Sequence, residues 1–74
     1  MITRLRLLRL LRDMTLREVA KETGIAAQRI WKHEKRKERL FPRDRERYGR
    51  FFEVDGEGLI DGEGLASWVE DTRA

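Results

Sequence analysis

Thr15 and Glu18 mark the start of a helix more firmly than any other pair in this 74-residue chain. In Thr15-Leu16-Arg17-Glu18 the threonine hydroxyl can accept from the Glu18 amide while the glutamate reaches back to the Thr15 amide. This reciprocal arrangement is a capping box. A helix therefore begins at Leu16 and runs to about Glu22, with Leu16, Val19, Ala20 and Thr23 facing inward. Gly24 ends it, because glycine adopts positive φ at little cost and lets the chain turn sharply. A second helix begins after Ile25, at Ala26 or Ala27, and runs to about Lys35. Ile30, then His33 or Glu34, succeed Ala26 at helical spacing, whereas Gln28, Arg29, Lys32 and Lys35 take the other face, with Trp31 toward that side. Two helices joined by so short a turn cross steeply. Ala20 lets their backbones approach, and Val19, Ile25 and Ile30 pin both to a core. The second helix is left with one free face and an exposed first turn.

Helical periodicity continues on both sides. A helix is read over residues 2–13, with Ile2, Leu5, Leu7, Leu8, Leu10, Leu11 and Met14 at mixed three- and four-residue steps, interleaved with Arg4, Arg6, Arg9 and Arg12. That stripe is wider than one buried face needs, so Leu7 and Leu10 either widen the core or form a patch for a partner. Beyond the connector Leu40-Phe41-Pro42, a helix from about Arg43 to Val54 buries Tyr48, Phe51 and Phe52. Pro42 suits its start, whereas Gly49 inside it costs about 1 kcal/mol relative to alanine. A short tandem repeat comes next: Asp55-Gly56-Glu57-Gly58-Leu59-Ile60, then Asp61-Gly62-Glu63-Gly64-Leu65-Ala66. Asp61 is read as the N-cap of a last helix with Leu65, Trp68 and Val69 on one face. That face either packs onto the preceding helix or forms a dimer surface. The expectation is an all-α, compact five-helix architecture, with residues 1–54 as the main domain and residues 55–74 as an acidic C-terminal extension closed by a short helix.

The chain has no cysteine and one histidine, His33. That excludes a disulfide framework, a thiol nucleophile and a Cys/His zinc site. The acidic repeats lack the ligand order of an EF-hand loop and the lysine of a P-loop. No cofactor, metal or catalytic constellation is expected, and the chain does not read as an enzyme. No apolar run approaches membrane-spanning length, and the first helix is short for a surface-lying one, so no membrane partner is expected. The net charge of +3 hides an asymmetry: residues 1–50 carry 16 basic and 7 acidic residues, and residues 51–74 carry 1 and 7. A basic front with an acidic tail suggests either a polyanion partner for the front or a generally solvated, charge-rich surface.

The ordered spacing across residues 4–54 resembles the lambda-repressor-like helix-turn-helix family, the Xre/Cro group. Arg4-Leu5-Arg6-Leu7-Leu8-Arg9 is similar to that family's first helix. Met14 through Ile25 resembles its motif segment, Ile30 and Glu34 match the I-x-x-x-E of its next helix, and Pro42 matches the proline before its fourth helix. The resemblance implies double-stranded DNA as the partner, a compact bacterial or phage regulator working in the cytoplasm at the nucleoid, and repression by a homodimer occupying promoter DNA. It implies that Ala27, Gln28 and Lys32 read base edges, with Trp31 beside them, and that Arg9 and Glu34 form a structural ion pair. Thr15, Lys35 and Lys37 fall where the family contacts phosphates. Arg29, which flanks the base-reading face, and Arg17, which can supply the contact that Leu16 lacks, count with them, and Arg36, Arg39 and Arg43 extend the track. Leu16 departs from the family, which usually has a phosphate-gripping glutamine there. Thr23 and His33 stand at usually apolar positions, which makes His33 either a half-buried packing residue or a pH sensor. The alternative function is a protein-interaction module, antitoxin-like or polymerase-binding, acting through the acidic tail or Leu7 and Leu10.

Overall fold

The computed structural model describes residues 1–69. Its elements, in chain order, are four helices, α1 (Arg4–Leu11), α2 (Leu16–Thr23), α3 (Ala27–Glu34) and α4 (Pro42–Phe52), and then a 3-10 turn, Gly56–Leu59. The chain is mostly helical, with no named strand among the described residues. None of the described helices is long and apolar enough to cross a membrane.

Local chemistry explains the boundaries. The capping box of α2 forms as the sequence reads: Thr15 Oγ1 accepts from the Glu18 amide at 3.1 Å, and Glu18 Oε1 accepts from the Thr15 amide at 2.8 Å. Gly24 caps α2 at φ 79°, in the left-handed region open to glycine. Thr23 completes that end: its hydroxyl donates to the Val19 carbonyl and accepts from the Ile25 amide. At α1 the cap is Thr3, whose side chain accepts from the Arg6 amide. The helix is thus shorter than the apolar pattern suggests, because Thr3 begins it and the chain leaves helical geometry at Arg12.

Pro42 opens α4, where its missing amide hydrogen is no loss, and Asp44 Oδ2 accepts from the Phe41 amide. Gly49 has a steric reason to be there. A Cβ at this position would stand 2.8 Å from the Val54 carbonyl oxygen and 3.1 Å from the Gly56 amide nitrogen. The chain after α4 folds back across this helix, and only a residue without a side chain admits it.

The core comprises Leu5, Val19, Ile25, Ile30, Leu40, Tyr48, Phe52, Leu59 and Ala66. Leu59 and Ala66 belong to the segment read as an extension, so residues 55–69 complete the core rather than hang from it. The last residues of that extension, 70–74, lie outside the described part. The closing helix expected after Asp61 does not form over residues 61–68. Residues 61–68 instead make a turn and two isolated bridges, Ile60 with Ala66 and Thr3 with Trp68. The segment is stitched to the N-terminus: the Arg4 amide donates to the Ser67 carbonyl and the Val69 amide to the Ile2 carbonyl, both at 2.9 Å.

Leu65, Trp68 and Val69 therefore do not share a helix face, and the dimer surface read onto that face loses its basis. All three are half-buried. Trp68 lies under the Arg36 guanidinium at 5.1 Å.

Candidate nucleic-acid interface

On α3, Ile30, His33 and Glu34 turn inward. Gln28, Trp31, Lys32 and Lys35, at i, i+3, i+4 and i+7, lie along the opposite side of the same helical path. Gln28, Trp31 and Lys35 are exposed, and Lys32 is half-buried, as is Ala27. The side chains of Gln28, Lys32 and Lys35 form no hydrogen bond or ion pair with a described residue. The Lys37 ammonium stands 5.9 Å from the centre of the Trp31 ring. No side chain caps the start of α3, so its first turn offers free amides and the partial positive charge of a helix N-terminus.

The helix is held from behind by an ion pair. Arg9 grips Glu34 with two contacts, Nε to Oε2 at 2.7 Å and Nη2 to Oε1 at 3.0 Å, and its third nitrogen donates to the Met14 carbonyl. The Glu34 side chain is 2% exposed and that of Arg9 13%. The expected pair is thus formed, with Glu34 buried and Arg9 partly so. Thr3 adds a second tie, donating to the Glu34 carbonyl. Together these set the angle at which the free face of α3 is presented.

The candidate phosphate contacts divide into two groups. Arg17, Lys35, Arg39 and Arg43 are exposed and form no ion pair with a described residue. Lys37 is exposed beside Trp31. Thr15 is committed to its capping box as an acceptor, with its hydroxyl hydrogen still to give. Arg29 and Arg36, by contrast, are engaged internally. Arg36 pairs with Asp61 at 2.6 Å and covers Trp68. It sits at φ 59°, a left-handed conformation that a non-glycine residue adopts at some cost, and it fastens the C-terminal segment to the end of α3. It is a structural clasp, not a free member of the track. Arg29 lies between Glu38, at 2.8 Å, and Asp44, at 2.9 Å.

Sequence reasoning misses Lys21. It lies on α2 with Arg17, four residues earlier, and both line a shallow hollow that also includes Ala26 and Ala27 at the start of α3. The i, i+4 spacing of two cations on one helix face is the signal that could have found it.

His33 is fully buried rather than half-buried. Its Nδ1 lies 2.7 Å from the Tyr48 hydroxyl. Its Nε2 faces Glu38 Oε2 at 3.4 Å and Asp44 Oδ2 at 3.8 Å, with no well-aligned hydrogen bond. Burial pushes the imidazole pKa below its ordinary value, against the pull of Asp44 and Glu38 and with the help of Arg29. The hydrogen bond from Arg29 holds the Glu38 carboxyl below the usual range, and burial raises the Tyr48 phenol.

The acidic segment neutralises part of the basic front: Asp61 takes Arg36, and Glu57 takes Arg45 at 3.1 Å. On α1, Leu10 is 46% and Leu11 73% exposed, while Leu7 is half-buried. No protein-family model, curated protein or solved structure matches this chain.

Proposed function

We propose that this chain is a sequence-specific, double-stranded DNA-binding transcriptional regulator of the lambda-repressor-like helix-turn-helix type, which inserts α3 into the major groove and represses by occupying promoter DNA. The observation that carries the reading is the face of α3: Gln28, Trp31, Lys32 and Lys35 in register on a helix anchored from behind by Ile30 and the Arg9–Glu34 pair. A helix of this width fits the major groove, where the Gln28 amide can pair bidentately with adenine and Lys32 can donate to guanine. Ala27 meets a thymine methyl, and Trp31 packs beside the same base edges. Arg17, Lys21, Lys35, Lys37, Arg39 and Arg43 neutralise phosphates, which sets register without reading sequence. Binding as a homodimer would place two half-sites about one helical turn apart.

Selection of bound duplexes from a random pool tests this directly, reporting a preferred site and its symmetry. Binding to the selected site should weaken steeply with salt, as several phosphates are neutralised. Gln28→Ala and Lys32→Ala should each erase about 1–3 kcal/mol of discrimination between sites, whereas Lys35→Ala and Lys37→Ala should weaken all duplexes alike. A pool that returns no enriched sequence, with a flat salt dependence, removes the proposal. The exposed Leu10 and Leu11 favour one alternative, a module acting mainly through a protein partner at α1. In that case Leu11→Glu would abolish the regulated phenotype while duplex binding persisted.

A further inference from the structure

The Arg29 cluster has a geometry that the interface alone does not require. On α3, Arg29 lies beside Lys32, three residues on, at the edge of the exposed face, and its side chain is 40% exposed. Its guanidinium bridges Glu38 of the connector and Asp44 of α4, whose side chains are 28% and 7% exposed. Behind these carboxylates sits His33. Glu38 Oε2 is the oxygen that Arg29 Nε grips at 2.8 Å, and the same oxygen faces His33 Nε2 at 3.4 Å. Likewise Asp44 Oδ2 takes Arg29 Nη2 at 2.9 Å and faces His33 Nε2 at 3.8 Å. One pair of oxygens is thus shared between a guanidinium on the outside and an imidazole on the inside.

We propose that Arg29 is exchanged between this carboxylate pair and a DNA phosphate, and that His33 takes up a proton to replace it, so that duplex binding is coupled to protonation of the chain's single imidazole. This exchange rests on the DNA-binding function proposed for the chain.

The charges around the imidazole come from every element against it: Arg29 from α3, Glu38 from the connector, Asp44 and the Tyr48 hydroxyl from α4. Glu34, tied to Arg9 of α1, adds negative charge near that hydroxyl. With Arg29 in place, two carboxylates are matched by one guanidinium, and a neutral imidazole suffices. Two carboxylates facing Nε2 demand that this nitrogen carry the hydrogen, so Nδ1 accepts from Tyr48 in the neutral form. When Arg29 swings to a phosphate, Glu38 and the buried Asp44 lose their cation. Two uncompensated carboxylates beside a buried imidazole favour its protonation. The new proton goes to Nδ1, and the Tyr48 hydroxyl reverses from donor to acceptor. No backbone movement is needed, only a change of partner at Glu38 and Asp44. By linkage, if binding raises the proton affinity of His33, protonation raises duplex affinity by the same factor.

The test tracks the single imidazole by NMR through a pH titration, in the free full chain and saturated with a short mixed-sequence duplex at low salt. The His33 midpoint is expected to rise by about one pH unit in the complex, equivalent to roughly tenfold tighter duplex binding to the protonated form. Arg29→Gln should raise the midpoint already in the free protein and abolish the further rise on binding. Arg29→Lys serves the same purpose if the glutamine variant does not fold, and should retain a reduced rise. Saturable duplex binding with an unchanged His33 midpoint overturns the exchange and leaves the DNA-binding function standing. A rise of wild-type size in Arg29→Gln also overturns it, since the shift would then come from the general field of the polyanion. Absence of any duplex binding overturns both.

Discussion

Two arginines meet carboxylates against α3, and they meet them differently. Arg9 comes from another helix, binds one glutamate through two nitrogens and is almost sealed from water. Arg29 belongs to α3 itself, divides its nitrogens between two acids and keeps 40% of its side chain in solvent. The first arrangement has no alternative partner, because leaving Glu34 would strand a buried charge. The second has one on each side, solvent outside and His33 inside. Burial, rather than the presence of an ion pair, separates a strut from a contact that can be remade.

The largest expected effect lies on the buried pair. Glu34→Ala leaves Arg9 without its carboxylate and should cost about 3–5 kcal/mol, comparable to the whole stability of a domain this size. Thermal melting followed by circular dichroism should show little or no folded transition. Next is Tyr48→Phe, which removes the hydroxyl at His33 Nδ1. A buried ring nitrogen without its partner should cost about 1–3 kcal/mol, read as a lower urea midpoint.

Acid should act through the cluster around His33. His33 is held below its ordinary pKa in the folded chain, so the unfolded chain binds more protons there as pH falls. Its contribution is full above the unfolded value near 6.5 and is lost as pH drops from there through the folded value. Glu38, also depressed when folded, adds a loss that sets in below its unfolded value of about 4.5. The urea midpoint should therefore fall from neutral pH toward pH ~5, and His33→Asn should flatten that part of the profile. A wild-type profile flat over this range would show that the imidazole carries no linked proton.

The smallest effect is expected at Arg29→Gln. With Glu38 half-buried, Asp44 still holding the Phe41 amide and 40% of the arginine side chain in solvent, its removal should cost about 1 kcal/mol at neutral pH, measured by the same urea titration. A loss as large as that of Glu34→Ala would erase the distinction between the two arginines and make Arg29 a strut as well.

The parts of this chain that are legible in its sequence are those whose partners are close along it. Thr15 and Glu18 cap each other across three residues, Gly24 ends the same helix, and Pro42 starts α4. The apolar steps around Val19, Ile25 and Ile30 make the core side of α2 and α3 readable, and with it the face carrying Gln28 and Lys32. The Arg9–Glu34 pair comes by resemblance, since nothing local joins residues 25 apart in the chain. Arg29 and Arg36 read as free cations because their acids lie 9 to 25 residues away, on a connector, a helix and a turn that only the folded chain brings near.

The tandem repeat makes the same division within a few residues. Both aspartates accept from the amide two residues on, Asp55 from Glu57 and Asp61 from Glu63, as identical local sequence requires. After that the copies part. The first coils into a 3-10 turn that buries Leu59, while the second opens into a bridge that carries Ala66 back against Ile60 and Ser67 toward the N-terminus. Sequence alone determined the caps of α2, the faces of α2 and α3 and the charge of each half, because these depend on short-range hydrogen bonds and periodicity. Tertiary structure decided which arginines stay free and where the tail lies, because those outcomes depend on which distant acid or apolar surface each side chain meets.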